Sequence, residues 1–364
     1  MARKKKQELN IQGLGIRIAL SLVVCLAFLL TFFLGGGLYY FENVVAITAF
    51  SDLPFEIHFI DVGLGDSIFL RLPNDQTMLV DCGPNKNSNT VVEYLTKLFD
   101  YEKIDAIDYF VLSHQDADHV GKGTDIFKTF QVNTVYRPRI LSKGEVAKFG
   151  NPSGWKTSDT DTYDNVITAA YNEPDCEMIY SEQGIKIYDT DFSVEFLSPA
   201  EEKYSNYNNF SPMIMITYRT RKFLLTGDAE EVAEKEVIEN HGSGLKADVL
   251  KVGHHGSNTS TSLEFLQCVS PAYAVISVNK KNQWNFPKTE TLEKLAEVHA
   301  TVLTTAEKGS IAMSVDDSKA IIIADKNSMI KIDVPLLCVC SGLAIVVIWS
   351  IKVKKKKINH LNII

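Results

Sequence analysis

Two apolar runs near the ends of the chain, each flanked on its outer side by lysine-rich sequence, restrict its fold more than any other feature. Residues 14–34 (LGIRIALSLVVCLAFLLTFFL) are interrupted only by Arg17 among charged residues and follow Arg3-Lys4-Lys5-Lys6. Residues 334–351 (VPLLCVCSGLAIVVIWSI) precede Lys352 and then Lys354 to Lys357. A helix crosses the hydrocarbon core with roughly 20 apolar residues, so transmembrane helices are expected over 14–40 and 334–351. The positive-inside rule then puts the basic tails, 1–13 and 352–364, in the cytoplasm and everything between the spans outside it. A cleaved leader is the competing reading of the first run. Its apolar centre exceeds the usual roughly 7–15 residues and no A-x-A-like site follows. A buried terminal helix competes for the second run, against which the four lysines argue.

Charge is unevenly shared between these tails and the segment they bracket. Residues 51–329 hold 26 basic and 42 acidic side chains, a net charge of −16. That excess gives no electrostatic reason to hold a polyanion non-specifically, so nucleic-acid binding would need a local patch or a bound metal. Three cysteines outside the apolar runs, Cys82, Cys176 and Cys268, make no disulfide framework, and without a CxxC there is no thiolate zinc site.

Between the spans, strand-like and helix-like segments alternate. Strands are predicted over 56–62, 67–73, 77–82, 108–113 and 133–139, with a helix over 90–99 capped by Asn89. Residues 141–182 are polar and read as an insertion or lid with one helix near 161–171. Further strands are predicted over 186–198, 213–219, 222–227, 248–252 and 273–278, with helices over 230–239, 262–268 and 289–298. Three short β segments near 301–304, 310–315 and 319–324 complete 51–329. This order predicts an α/β fold, an αββα sandwich of two sheets covered by outer helices.

The segment that carries chemistry is Ser113-His114-Gln115-Asp116-Ala117-Asp118-His119. Four potential ligands fall within six residues at the end of an apolar strand, where a loop can turn successive side chains toward one point. A polar surface loop is the bland alternative, but H-x-D-x-D-H after an apolar strand does not favour it. Mixed imidazole and carboxylate donors suit Zn or Mn, as one ion or two. Gly227-Asp228 ends the apolar run KFLLT, and His254-His255-Gly256-Ser257 ends DVLKV. Alone, Asp228 reads as a helix cap and a single histidine as a core or surface group; the paired histidines at a strand end shift that balance.

In this order, H-x-D-x-D-H-x-G, LLTGDAE and KVGHHGS resemble the metallo-β-lactamase fold, and more narrowly the hydrolase-like domain of ComEC competence proteins. FIDVGLGDSIFLRLP (59–73) and LVDCG (79–83) match that domain's opening motifs. The resemblance implies that His114 and Asp116 serve one metal position and Asp118 and His119 the other. Asp228 would bridge them and His254 would complete the second. It further implies that Asp118 and His255 act on the substrate, that Asp66 lines the mouth of the site, and that Asp81 orients a ligand from behind. Asp116 stands where the wider superfamily has histidine, and the middle histidine is missing, its place falling near Asn208-Asn209-Phe210-Ser211. Phe286 replaces a histidine expected in the late motif SVNKKNQWNFP, and Leu64 replaces a glutamine. The family's many-helix channel and oligonucleotide-binding domain have no counterpart within these 364 residues.

These readings predict a metal-dependent hydrolase at the cell membrane, a phosphodiesterase or nuclease using metal-activated water. Its partners would be the lipid bilayer, DNA or a smaller phosphodiester, and other membrane proteins. A non-catalytic accessory protein of the same fold and an ester or lactone hydrolase are the competing expectations.

Overall fold

The computed structural model describes Ile47, Phe50 and residues 52–85, 90–151 and 153–325. The two expected spans, their basic tails and the Asn89 cap lie outside the described residues. Among the described residues no helix is long and apolar enough to cross a membrane.

The first half of the domain contributes β1 (Glu56–Phe59), β2 (Ile68–Arg71), β3 (Thr77–Val80), β4 (Ala106–Val111), β5 (Gln131–Arg137), the short β6 (Ile140–Leu141) and β7 (Lys156–Thr157), and β8 (Glu177–Tyr180). The second contributes β9 (Lys186–Tyr188), β10 (Phe192–Phe196), β11 (Ile214–Tyr218), β12 (Arg221–Leu225), β13 (Val249–Lys251), β14 (Tyr273–Ile276), β15 (Thr301–Thr304), β16 (Ile311–Val315) and β17 (Ile321–Ala324). One sheet has the order β17-β16-β1-β2-β3-β4-β5-β8, the other β15-β14-β13-β12-β11-β10-β9. Each is antiparallel over one part and parallel over the other, with β3-β4-β5-β8 parallel in the first and β12-β13-β14-β15 parallel in the second.

Alternation along the strands builds the layers. In β1 to β3, Ile57, Phe59, Ile68, Leu70, Met78 and Val80 enter the core between the sheets, facing Phe196, Ile214, Phe223 and Val249. The intervening Phe69 and Leu79 point outward, against Tyr94, Leu95 and Leu98 of the helix Thr90–Glu102. On the far side, Leu224, Leu250 and Ile276 meet the helices Glu231–His241 and Leu263–Val269. Strands buried on both faces read as unbroken apolar runs, which is why FVL and KFLL show little period-2 signal. The result is an αββα sandwich, as the sequence predicted.

Residues 141–182 are more structured than a polar insertion would be. They add the β6-β7 pair, a helix Lys143–Phe149 with a Ser142/Glu145 capping box, a helix Asp161–Asn172 and β8 at the sheet edge. Tyr163, Val166, Ile167 and Ala170 are buried in the outer core. Composition hid this because a single buried ion pair organises the segment. Arg137 at the end of β5 donates to both Glu145 carboxylate oxygens at 2.8 and 2.9 Å, and its side chain is 2% exposed.

Glu145→Ala would leave Arg137 buried without its counter-charge, a change that costs about 3–5 kcal/mol. Burial raises the Glu145 carboxyl, but Arg137 and the Ser142 backbone outweigh it and hold it below the ordinary value. The pair's contribution is therefore complete above the unfolded-state carboxyl value of about 4.3 and is lost as pH falls through the lower folded value. Thermal melts should show Glu145→Ala far less stable at neutral pH, with the gap closing in acid.

Candidate metal centre

Every residue singled out in the sequence at a strand end lies just beyond the C-terminal end of a parallel strand: Asp81 after β3, His114 after β4, Asp228 after β12, and His254-His255 after β13. Strand carboxyl ends are where the chain leaves the sheet and can direct several side chains at one crevice.

Asp81 anchors the first side. Its backbone is left-handed, φ 58°. One carboxylate oxygen accepts from the Ser113 N–H at 2.8 Å; the other accepts from the Ser113 hydroxyl at 2.6 Å and lies 2.7 Å from His119 Nδ1. That bond assigns the proton to Nδ1 and leaves Nε2 facing the crevice, the usual way a carboxylate behind an imidazole fixes its tautomer. A single helical turn, Ala117–Val120, buries His119 and leaves the Asp118 side chain 35% exposed. Gly65 permits this turn to sit so close: a Cβ there would lie 2.2 Å from the Asp118 carbonyl oxygen, and its φ of 137° suits only glycine.

The second side rests on two consecutive left-handed residues, His254 (φ 48°) and His255 (φ 53°). Non-glycine residues rarely take this conformation, and two in succession mark a place where side-chain direction outweighs backbone preference. The turn sends the rings apart, at 74° to one another. His255 goes inward, buried, with Nδ1 3.0 Å from the Ser277 carbonyl and Nε2 toward the crevice. His254 stays at the rim, 22% exposed, its ring 5.6 Å from that of Phe286.

Around Asp228 the donors separate into two groups. His119 Nε2 lies 3.2 Å from Asp228 Oδ2 and 3.2 Å from His255 Nε2, while His255 Nε2 lies 3.6 Å from Asp228 Oδ2 and 3.4 Å from Asp118 Oδ2. Donors about 2.0–2.2 Å from one tetrahedral ion stand roughly 3.4 Å apart, so His119 Nε2, His255 Nε2 and Asp228 Oδ2, mutually 3.2 to 3.6 Å apart, fit a single divalent cation, with Asp118 grouped beside His119 and His255. On the other side, His114 Nε2 lies 3.6 Å from Asp116 Oδ2 and 4.0 Å from Asp228 Oδ2, and His254 Nε2 is 3.7 Å from Asp228 Oδ2. His114 Nε2 and Asp228 Oδ1 are buried with no hydrogen-bond partner, which a second cation would satisfy. The residues present thus fit a metal beside Asp228, with His114, His119 and Asp228 in one group and Asp118, His119 and His255 in another, the donor atoms of each within 4.8 Å of one another.

The electrostatics point the same way. Burial raises the Asp228 carboxyl, yet His119, His255 and His254 outweigh it and hold it well below the usual range. Burial lowers His119, but Asp228 and Asp81 drive it well above the ordinary imidazole value. Burial likewise lowers His255, while Asp228, Asp118 and Asp66 raise it overall. Asp118, raised by burial, is pulled far down by His255 and His119. Acids and imidazoles stabilise each other's charge here, and a divalent cation can take the place of the shared protons.

Two expectations change. His255, expected to face the substrate, is 1% exposed and joins Asp118 and His119, while His254, expected in that place, stays at the rim with Nε2 3.7 Å from Asp228 Oδ2. The left-handed turn decides this, and residue types do not reveal it. Asp66 is not at the mouth but 1% exposed behind His255, paired with a buried lysine, Lys251, at 2.8 Å. The segment 208–211, where the place of the missing histidine is expected, braces the site: Ser211 Oγ accepts from the Asp228 N–H at 3.2 Å, and Asn209 Oδ1 accepts from the Glu230 N–H at 2.9 Å. Sequence reasoning also passed over Gln115, whose amide exchanges hydrogen bonds with Asp159 and ties the motif loop to 141–182. Lys251 carried a signal, a lysine inside an apolar strand. Asp81→Asn should weaken metal binding about 10–100-fold, as losses of an outer carboxylate partner do, and should lower the melting temperature of the metal-free protein, because the buried His119 loses a counter-charge. Titration with Zn or Mn against a chromogenic chelator measures it.

Residues 60–164 match the family model described as the Metallo-beta-lactamase superfamily. The chain is 29% identical to "ComE operon protein 3" of Bacillus subtilis (strain 168), over 70% of this chain and 32% of that protein. It is 27% identical to "Recombination protein 2" of Haemophilus influenzae, over 71% of this chain and 29% of that protein. It is 29% identical to "Competence protein ComA" of Neisseria gonorrhoeae, over 72% of this chain and 31% of that protein. The matched region thus covers about a third of the length of these curated relatives. Among solved structures, the metallo-β-lactamase fold protein YhfI from Bacillus subtilis aligns at TM-score 0.41 and 14% identity, covering 74% of this chain and 99% of that one. With its sheets, strand-end donors and motif order, the chain resembles the metallo-β-lactamase superfamily over residues 60–164 and, more widely, the matching part of the ComEC-like competence proteins.

Proposed function

We propose that this domain is a metal-dependent hydrolase of phosphodiesters, held at the outer face of the cell membrane by spans at 14–40 and 334–351. The observation that carries the reading is the triangle of His119 Nε2, His255 Nε2 and Asp228 Oδ2, 3.2 to 3.6 Å on each side, with Asp118 Oδ2 3.4 Å from His255 Nε2. These residues would hold one divalent ion, Zn or Mn by donor type. His114, Asp116 and His254 would hold a second through the shared Asp228. Such ions supply Lewis acidity, making water acidic enough to deprotonate near neutral pH and offsetting negative charge on phosphoryl oxygens.

The chain's own groups do the rest. Asp81 and Ser277 fix the tautomers of His119 and His255, so both present Nε2 without reorganising. Asp118 is both donor and partly exposed, placing a carboxylate where it can accept a proton from an incoming water. His254 at the rim is the imidazole of this cluster nearest solvent, with Phe286 against its ring excluding water from one side. Phosphorus rather than acyl carbon as the centre attacked is supported by the likeness to competence and recombination proteins. The net charge of −16 over 51–329 favours a short substrate over long DNA.

The test uses the full chain purified in detergent without chelator. Bis-p-nitrophenyl phosphate should be cleaved when Mn or Zn is added, cleavage should stop with a chelator, and Asp228→Asn should lower it by more than the about 10–100-fold of an outer-partner change. Bound metal with turnover of acyl esters or lactones alone would replace phosphodiesters as the substrate class. Neither metal nor turnover would favour a non-catalytic accessory protein. A reporter joined after Phe50 should be active only on the outer side of the membrane; activity in the cytoplasm would overturn the anchoring.

A further inference from the structure

Lys251 is the last residue of β13, flanked by Val249, Leu250 and Val252, and is 0% exposed. Placing an ammonium in the middle of an apolar sheet costs several kcal/mol of desolvation unless it is well paired, and methionine or leucine would fill the position without that cost. Its Nζ lies 2.8 Å from Asp66 Oδ2 and donates to the Val252 carbonyl oxygen at 2.8 Å. Asp66 comes from the turn leading into β2 in the first sheet, so the pair ties the two sheets together directly behind the donor cluster.

Asp66 could itself be a ligand. Its carboxylate lies within 4.8 Å of donor atoms of both His255 and Asp228, and of Asp81 and His119 in a second grouping. Its free oxygen is 3.7 Å from His255 Nδ1, the nitrogen already committed to the Ser277 carbonyl. Asp66 lies on the Nδ1 side of the His255 ring, and the ion pair with Lys251, 2.8 Å away, draws its Oδ2 away from the cluster.

We infer that Lys251 is a positioning residue of the metal centre, holding Asp66 back from the donor set and so limiting the number of carboxylates that reach the ion. This rests on the metal-centre reading above. The pair leaves a neutral unit where a free Asp66 would add one more carboxylate to Asp118 and Asp228. It thereby leaves room beyond the present donors for water or substrate to enter as a further ligand, instead of filling that room with protein.

The sign of the effect separates this role from simple support of the fold. In Lys251→Met the positive charge is gone and Asp66 is released, so Co(II), used as a coloured probe, should bind at least about tenfold more tightly. Its visible spectrum should weaken as a four-coordinate ion gains a ligand. The double variant Lys251→Met/Asp66→Asn should return both affinity and spectrum to wild type, and Lys251→Arg should resemble wild type throughout. Were Lys251 only a prop, Lys251→Met would bind Co(II) more weakly and Asp66→Asn would not rescue it; that result, or an unchanged spectrum in a folded Lys251→Met, overturns the inference. If circular dichroism shows Lys251→Met unfolded, the comparison moves to Lys251→Arg/Asp66→Glu. There the longer carboxylate should evade the pin and change the spectrum, and a wild-type spectrum overturns the inference equally. A wild-type chain that binds no Co(II) defeats the metal-centre reading itself, whereas wild-type binding with unresponsive variants defeats only the role of Lys251.

Discussion

One buried carboxylate, Asp228, holds the two halves of this fold in a relation that would otherwise be costly. Imidazoles from the motif loop and from the left-handed turn after β13 converge on its Oδ2, at 3.2 to 4.0 Å. The loop belongs to the first sheet and the turn to the second. A charge taken this far from water needs compensation by an opposite charge and by hydrogen bonds. The sheets must therefore meet in a fixed relation at their strand ends, and the apolar core between them provides the rigidity. Outer partners extend the constraint: Asp81 behind His119, Ser277 behind His255, and Ser211 under the Asp228 N–H.

This dependence explains why the parallel parts of both sheets deliver the donors while the antiparallel parts contribute only the Gly65-Asp66 turn beside them. Parallel neighbours send their chains out at the same edge, so β3, β4, β12 and β13 deliver Asp81, His114, Asp228 and His254-His255 to one rim. The antiparallel strands contribute the apolar wall instead, with Ile57, Phe59, Ile214 and Ile216 facing one another across the sheets. The segment 141–182 joins the rim rather than covering it, because Gln115 of the motif loop bonds to Asp159 while Arg137 and Glu145 pin the segment to β5.

Much of this was legible in residue order. Apolar runs gave the strands, helical spacing gave the outer helices, and H-x-D-x-D-H, GD and HHG at run ends gave the donor candidates. What stayed hidden depends on backbone conformation or on partners distant in sequence. Nothing in the letters HH tells which ring turns inward, since that follows from two residues adopting φ near +50°. Nothing in VGLGDS tells whether Asp66 faces solvent or a lysine 185 positions later, and composition made 141–182 look like an exposed lid because its ordering pair, Arg137 and Glu145, begins outside it. Residue type identified the chemistry; direction came only from the fold.

Charge balance joins these observations. Asp66, Asp81, Asp116, Asp118 and Asp228 surround four imidazoles, and Lys251 adds a fixed positive charge through its bond to Asp66. Without a metal, neutrality near the crevice requires protons on the imidazoles, the direction in which Asp228 and its neighbours push His119 and His255. A divalent cation removes that requirement and frees both Nε2 atoms as donors, so metal uptake at this site should release protons. An additional uncompensated carboxylate would draw the cation more strongly and crowd its coordination sphere. The placement of one lysine in an apolar strand therefore bears on the openness of the centre as directly as the ligands do.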